Sequence, residues 1–145
     1  MSHPKIIFDS TIPESLLPLV QLRVEQVAHL FPLWCSKVVV SYGHSQDNVL
    51  SIDVQYEYRA VVLNIHPPFF EDDDPQSSLI HEIGHSLLKP LVHFGERIIE
   101  HFVEDDRVRR FLADQFTYYE EQVTEDIALF AKKIQGAKSK SIKGK

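Results

Sequence analysis

The stretch LIHEIGHSLL, residues 79–88, places two histidines and a glutamate inside an otherwise apolar run. Before it, Asp74 has the side chain of a good helix N-cap, and Pro75 suits the first helical position. The Lys-Pro pair at 89–90 is typical of a helix end. The pattern therefore predicts a helix over 75–89.

The polar side chains of this helix are expected to share one face. Residues four apart on a helix are neighbours one turn apart, so His81 and His85 project together. Ile83 lies roughly 160–200° from both, which turns the two imidazoles away from the packed side. Gly84 weakens a helix, and this predicts that another helix or strand packs closely against its bare backbone.

This spacing points to a metal site. Two neutral imidazoles one turn apart can both bind one zinc ion, at about 2.0–2.1 Å. Glu82 follows His81 directly, where a general base for a metal-activated water is needed. The pattern is H-E-x-x-H, which is typical of zinc metallopeptidases. The alternative is a chance match to the motif, with two surface histidines on an amphipathic helix. A chance match would not have to fall on a helix or to place its histidines off the core face.

A catalytic zinc site usually has three protein ligands and a water. The extended pattern H-E-x-x-H-x-x-G-x-x-H would require glycine at position 88 and histidine at position 91. The chain has Leu88 and Leu91 there, so this class of site is excluded. The other common third ligand is a glutamate from a later helix, and the stretch YYEEQVTEDIALF, residues 118–130, contains the candidates.

Three glutamates in that stretch could complete the site. Glu120 has capping-box spacing with Thr117, so the backbone is expected to engage its side chain. We favour Glu121 as the metal ligand and Glu125, one turn further on, as an outer carboxylate that orients one of the histidines. Glu125 and Glu120 remain alternative ligands. Two histidines are weaker candidates for the third ligand, His93 and His101.

The rest of the chain predicts an α+β domain. An N-terminal helix lies within 14–31, with capping-box spacing between Thr11 and Glu14 and an end at Pro32. Periodicity predicts three strands before the 75–89 helix and two more helices after it. They are strands at 37–43, 49–58 and 59–66, a helix over about 95–114, and a helix from Thr117.

Composition limits the possible functions. The 145 residues suit one domain, which we place at 1–135, followed by a Lys-rich tail at 136–145 that is predicted to be disordered. The net charge is −6 although this tail is basic, so nucleic acid is not expected as a ligand except for the tail. A single cysteine and the lack of a secretion signal or membrane span predict a cytoplasmic protein.

The motif His81-Glu82-x-x-His85, followed by a helix carrying Glu121-x-x-x-Glu125, resembles the gluzincin metallopeptidases, the thermolysin-like class. Those enzymes commonly have aspartate at the last position of the second pattern, where this chain has Glu125. The order of elements over about residues 15–135 is similar to that of compact single-domain zincins encoded by phages and prophages.

The resemblance implies a minimal zincin-like fold: an N-terminal helix, a mixed sheet of about three strands, the active-site helix and C-terminal helices. It implies zinc-dependent hydrolysis of peptide bonds in a peptide or protein substrate, with zinc-activated water and Glu82 as general base. It also implies that the strand at 59–66 is a sheet edge that pairs with substrate, although a core role is equally compatible. The candidate donors to the oxyanion are Tyr118, Tyr119, His93 and His101.

A second interpretation is a non-catalytic metal-binding or interaction module that keeps the same fold. Glu82 favours the enzyme, because a purely structural metal site needs no base beside the metal. The sequence leaves the oligomeric state open.

Overall fold

The computed structural model of the protein describes residues 3–143, and the side chains of residues 3–134. It has an α+β fold with three α-helices and a four-stranded mixed sheet, which confirms the predicted class but adds one strand. In chain order the elements are β1 (Lys5–Phe8), α1 (Leu17–Val27), β2 (Lys37–Tyr42), β3 (Leu50–Gln55), β4 (Ala60–Ile65), α2 (Pro75–Phe102) and α3 (Asp106–Lys143).

The sheet has the strand order β1-β2-β4-β3, with β1, β2 and β4 parallel and β3 antiparallel to β4. Of the two roles left open for the strand at 59–66, the sheet edge is therefore wrong and the core role is confirmed, because β4 lies between β2 and β3. Its side chains Ala60, Val61, Leu63 and Ile65 are all buried, as expected for an interior strand. The edge strand beside α2 is β3.

One face of the sheet carries the hydrophobic core. Helices α1 and α2 contribute to the same buried cluster as β2 and β4. The fully buried members from the helices are Val20, Val24, Val27, Leu79 and Ile83. This packing fixes the N-terminal half of α2 against the sheet, which leaves the opposite side of that half-helix for other contacts.

The predicted start of α2 is confirmed. The Asp74 side chain accepts a hydrogen bond from the backbone N–H of Ser77 at 3.2 Å, and Pro75 is the first helical residue. Asp74 also pairs with Lys132 of α3. The Lys132 side chain and the Ser77 N–H together lower the pKa of Asp74, so the carboxylate that caps α2 also connects the helix to α3.

The predicted cap of α1 is wrong. The helix begins at Leu17, and its N-cap residue Leu16 makes no side-chain capping bond. Pro18 in the first turn suits this later start. Thr11 instead accepts a hydrogen bond from the backbone N–H of Tyr42 at 2.8 Å, which connects the loop before α1 to the end of β2.

Helix α2 does not end at Pro90, as the sequence predicted, but continues to Phe102. A proline inside a helix leaves the carbonyl four residues earlier without its helical hydrogen bond, and here that carbonyl belongs to Ser86. The indole Nε1 of Trp34 donates to the Ser86 carbonyl at 3.1 Å. A donor from outside the helix therefore replaces the missing backbone N–H, which removes one reason for α2 to stop.

A double-mutant cycle tests this replacement. Trp34→Phe is expected to lower the free energy of unfolding by about 1–3 kcal/mol, because it leaves the carbonyl of the buried Ser86 unpaired in addition to losing packing. In a Pro90→Ala background the restored backbone N–H can bond to Ser86, so the cost of Trp34→Phe should be smaller. Chemical denaturation of the four proteins measures the difference. Equal costs in both backgrounds would contradict the role of the indole.

The segment 95–114, predicted as one helix, is divided: residues 95–102 belong to α2, and α3 begins at Asp106. Helix α3 then continues through Thr117, where the sequence predicted the start of another helix. Thr117 therefore does not cap a helix; its hydroxyl donates to the carbonyl of Ala113 one turn earlier. The backbone of α3 continues to Lys143, and residues 144–145 of the predicted tail lie outside the described residues.

None of the helices within the described residues combines the length and the apolar character needed to cross a membrane.

Candidate metal centre

Helix α2 presents His81 and His85 on the side that faces α3. Both rings are partly buried, with their centroids 5.1 Å apart and their planes at 80°. Their direction follows from the burial of Leu79, Ile80 and Ile83 in the core, which fixes the rotation of α2 about its axis. The prediction that the two imidazoles project together and away from the packed side is confirmed.

Gly84 brings α3 close to this part of α2. A Cβ atom at Gly84 would lie 2.8 Å from Cγ2 of Thr124, closer than side chains approach one another. Thr124 is fully buried. The expected close neighbour of Gly84 is therefore confirmed, and it is α3. Thr124 is three residues after Glu121 on α3. The contact with Gly84 therefore also fixes the position of Glu121 along the helix axis relative to the two histidines.

The carboxylate of Glu121 faces both imidazoles. One of its oxygens lies 3.6 Å from Nε2 of His81, and the other lies 3.5 Å from Nε2 of His85. One ligand atom from each of these three residues lies within 4.8 Å of the other two. The favoured third residue is therefore brought to the two histidines.

These separations can be compared with those around a metal. Ligand atoms 2.0–2.1 Å from a tetrahedral zinc ion are roughly 3.3 Å apart. The two distances from Glu121 to the imidazole nitrogens exceed this by a few tenths of an ångström. Two imidazoles and one carboxylate are also a known ligand set for zinc. The chemistry and the spacing of the three residues therefore both suit a divalent metal.

Glu120 makes the contact to a histidine that the sequence analysis assigned to Glu125. Its carboxylate lies 3.1 Å from Nδ1 of His85. If Nδ1 carries the proton and donates it to Glu120, the lone pair of Nε2 is left free on the side of Glu121. The expected engagement of Glu120 by a helix cap is wrong, because α3 is already helical at Thr117 and the side chain is therefore not needed at a helix start.

Glu125 lies further along the same face of α3. It lines a cavity together with His81 and Glu82, but it is not one of the three clustered residues. Glu125 thus lies beside the centre. The contact to a histidine that is expected of an outer carboxylate is made by Glu120 instead.

Glu82 is partly buried at the edge of the centre, where it lines the cavities on both sides. Burial is the largest influence on its pKa and raises it above the ordinary value. The neighbouring His85 lowers the pKa of Glu82, and the Glu121 carboxylate raises it. A carboxylate with a raised pKa is a stronger proton acceptor, as a general base requires.

A cleft runs between β3 and the two long helices. On one side of Glu82 is a cavity of about 500 Å³, bordered by Val49, Leu50, Ala128 and Leu129. On the other side is a polar cavity of about 450 Å³, bordered by 50–54 of β3 and by Glu82, His85, Lys89, Glu120 and Glu121. The candidate centre therefore opens onto a groove whose wall is an edge strand.

Lys89 is a residue of this cleft that the sequence analysis missed. It lies one turn beyond His85 on α2, and its ammonium group is 3.8 Å from Glu96. The i, i+4 spacing from His85 was a signal for it, but Lys89 was interpreted as the last residue of the predicted helix and as part of its end signal.

The proposed oxyanion donors lie elsewhere. Tyr118 is exposed on α3 and stacks edge-on with Tyr119. His101 is in the last turn of α2, where its Nδ1 lies 2.9 Å from the carbonyl of Arg97, and the His93 ring lies 6.2 Å from that of Tyr56. None of these four side chains borders the two cavities that Glu82 lines.

A serine–histidine pair occurs behind β3, but its hydrogen bonds do not suit nucleophilic catalysis. His66 is buried, with Nε2 lying 3.0 Å from the hydroxyl of Ser51. Its Nδ1 accepts from the backbone N–H of Ser45 at 3.3 Å, so the ring proton is assigned to Nε2. A nitrogen that already carries the proton cannot take one from Ser51, and the pair is therefore structural.

Comparisons of the chain with models of known protein families, with curated proteins and with solved structures found no match. The geometry of the centre is therefore the basis on which its function is assigned.

Proposed function

We propose that the chain is a zinc-dependent metallopeptidase of the gluzincin type. The observation that carries this proposal is the position of Glu121, whose two carboxylate oxygens each face the Nε2 atom of one histidine of the H-E-x-x-H motif. His81, His85 and Glu121 would hold the zinc ion. The bound ion would supply Lewis-acid chemistry, making a water more acidic and polarising a carbonyl group.

The other steps belong to residues of the chain. Glu82, next to His81 in the cleft, takes a proton from the attacking water on its carboxylate and then gives it to the departing amine. Glu120 holds the ring of His85 through Nδ1, which keeps Nε2 directed at the metal position. Lys89 contributes a positive charge to the cleft beside these carboxylates.

The open edge of β3 suits an extended peptide. A substrate strand can form backbone hydrogen bonds with an edge strand, while its side chains alternate between the two faces of the extended sheet. Residues 50–54 of β3 border the polar cavity next to Glu82, so a peptide bonded to this edge passes the base. This role was expected of the strand at 59–66 and is here proposed for β3.

The direct test is hydrolysis of a mixture of peptides by the purified chain. We expect no cleavage after treatment with a chelator, and recovery when one equivalent of zinc is added. The measurement is the appearance of new peptide termini by mass spectrometry. Zinc binding without cleavage would contradict the peptidase and favour the non-catalytic metal module.

Glu120→Gln tests the support of His85. It keeps the size of the side chain but removes the negative charge next to Nδ1, and loss of such a partner weakens zinc affinity by about 10–100-fold. Glu125→Gln is the matched control, because Glu125 is on the same helix and lines the cleft but is not in the cluster. Competition with a fluorescent chelator measures both affinities. Equal losses in the two variants would contradict the role given to Glu120.

A further inference from the structure

The C-terminal half of α2 has an exposed row of large apolar side chains, here called the apolar stripe. Its members are spaced by four, three, four and four residues, the spacing by which one helix presents apolar side chains to another. They are Leu87, Leu91, Phe94, Ile98 and Phe102, all exposed.

The apolar stripe continues onto α3 across a groove between the two helices. The groove has a volume of about 140 Å³. Its lining is apolar except for Glu120, whose carboxylate is engaged with His85. The lining residues are Leu88, Leu91, Val92, Phe116, Tyr119, Glu120 and Val123. The stripe and this groove together form one face of the helical hairpin.

We propose that this face joins two copies of the chain in a twofold-symmetric dimer, with the two hairpins packed against each other as a bundle of four helices. In such an interface the same surface serves both partners, so it must offer both projections and a depression. The stripe provides the projections, Phe94 and Phe102, and the groove beside Leu91 provides the depression.

The exposed area is of the size that a dimer needs. Phe94, Phe102 and Tyr119 are 64%, 81% and 60% exposed. With the aliphatic members Leu87, Leu91, Ile98 and Val123, the face exposes roughly 700 Å² of side-chain surface. A specific interface buries about 800 Å² on each partner, so packing of this face with its surroundings accounts for a standard interface. An apolar surface this large is also uncommon on a monomer.

The charge distribution favours this face over the rest of the surface as the contact between two copies. Each copy has a net charge of −6, so two copies repel one another over most of their surfaces. The stripe carries no ionisable side chain, so contact through it brings the fewest like charges together. The opposite side of α2 carries an ion pair instead, Lys89 with Glu96.

The dimer leaves the candidate metal centre accessible. Lys89 borders the cleft and Leu91 lies in the groove, and two residues correspond to about 200° around a helix. The two features are therefore on opposite flanks of α2, and the proposal does not depend on the proposed peptidase activity.

Sedimentation equilibrium of the full chain tests the proposal. We expect the mass of a dimer, and we expect Phe94→Glu to weaken association on the order of 30-fold or more, because it places a charge at the centre of the face. Phe102→Glu provides a second variant at a highly exposed position. Gln26→Glu is the control, since it adds one negative charge at an exposed position of α1, outside the stripe and the groove, and it should remain a dimer.

Three results would overturn the proposal. One is a wild-type chain that stays monomeric up to about 100 µM. Another is a dimer that neither Phe94→Glu nor Phe102→Glu weakens, which would place the contact elsewhere. The third is a monomer whose stripe binds an amphipathic helical peptide or lipid vesicles, which would assign the face to a different occupant.

Discussion

Glu82→Gln is expected to bind one zinc ion per chain with wild-type affinity and to lose hydrolytic activity by a factor of about 10²–10⁴. The amide has nearly the size of the carboxylate but cannot accept the proton of the attacking water. His81, His85 and Glu121 are unchanged, so the metal ligands remain in place. The measurement combines zinc titration with the rate of peptide cleavage under identical conditions.

The control for this variant is Glu125→Gln. Glu125 lines the cavity next to Glu82, and its loss changes the charge of the cleft by the same amount. It should keep most of the activity, because no proton transfer is assigned to it. Comparable activity losses in both variants would mean that the charge of the cleft matters rather than the base. Full activity of Glu82→Gln would rule out Glu82 as the proton acceptor.

Gly84→Ala is expected to weaken zinc binding by at least about tenfold and to lower the free energy of unfolding by about 1–3 kcal/mol. The new methyl group would meet Cγ2 of Thr124 at 2.8 Å. Because Thr124 is fully buried, we expect the crowding to move α3 outward at this level. Glu121 lies three residues before Thr124 on α3, and its carboxylate would withdraw from both imidazoles.

Thr124→Ser provides a rescue that is specific to this contact. Serine keeps the hydroxyl and lacks the methyl group that meets Gly84. The double variant Gly84→Ala/Thr124→Ser should therefore recover most of the stability and of the zinc affinity lost by Gly84→Ala. Without such recovery, the loss would have to come from a different cause than the Gly84–Thr124 contact.

Gly95→Ala separates the effect of crowding on stability from its effect on the geometry of the metal centre. A Cβ at Gly95 would collide with the ring of Phe116, so this variant also crowds the contact between α2 and α3. Gly95 is ten residues beyond His85, about 15 Å along the helix. It should therefore lower the stability by a similar amount while the zinc affinity changes little.

Local signals in the sequence were sufficient where the structure depends on neighbouring residues. Asp74 and Pro75 predict the start of α2, and the four-residue spacing of His81 and His85 predicts their common direction; both are confirmed. Gly84 correctly indicated a close neighbour. The helix start and the direction of the histidines depend on local helix geometry, which the sequence pattern carries directly. The glycine indicates a contact with another element because it lacks the side chain that would prevent it.

Features that depend on distant partners could not be predicted in this way. Pro90 normally ends a helix, and α2 continues because Trp34, more than fifty residues earlier, donates to the freed carbonyl of Ser86. Since α3 begins at Asp106, Thr117 is no cap, and Glu120 is free to contact His85. The capping-box pattern is the same whether or not a helix already exists there.

The sheet shows the same limit. β1 has four residues and, among the described strands, pairs with β2, so its short KIIF pattern gives little periodicity to detect. The order of β3 and β4 is set by the parallel pairing of β2 with β4, which no local pattern encodes. For this reason the sequence could not decide whether 59–66 lies at the edge or in the interior of the sheet.

The most direct test of the central claim is X-ray absorption at the zinc edge on the chain loaded with one equivalent of zinc. We predict two imidazole nitrogens and one carboxylate oxygen at about 2.0–2.2 Å, with a further light ligand from solvent. Glu121→Gln should alter this spectrum, while Glu125→Gln should leave it unchanged. A zinc shell without imidazoles, or a spectrum that Glu121→Gln does not change, would contradict the metal centre formed by His81, His85 and Glu121.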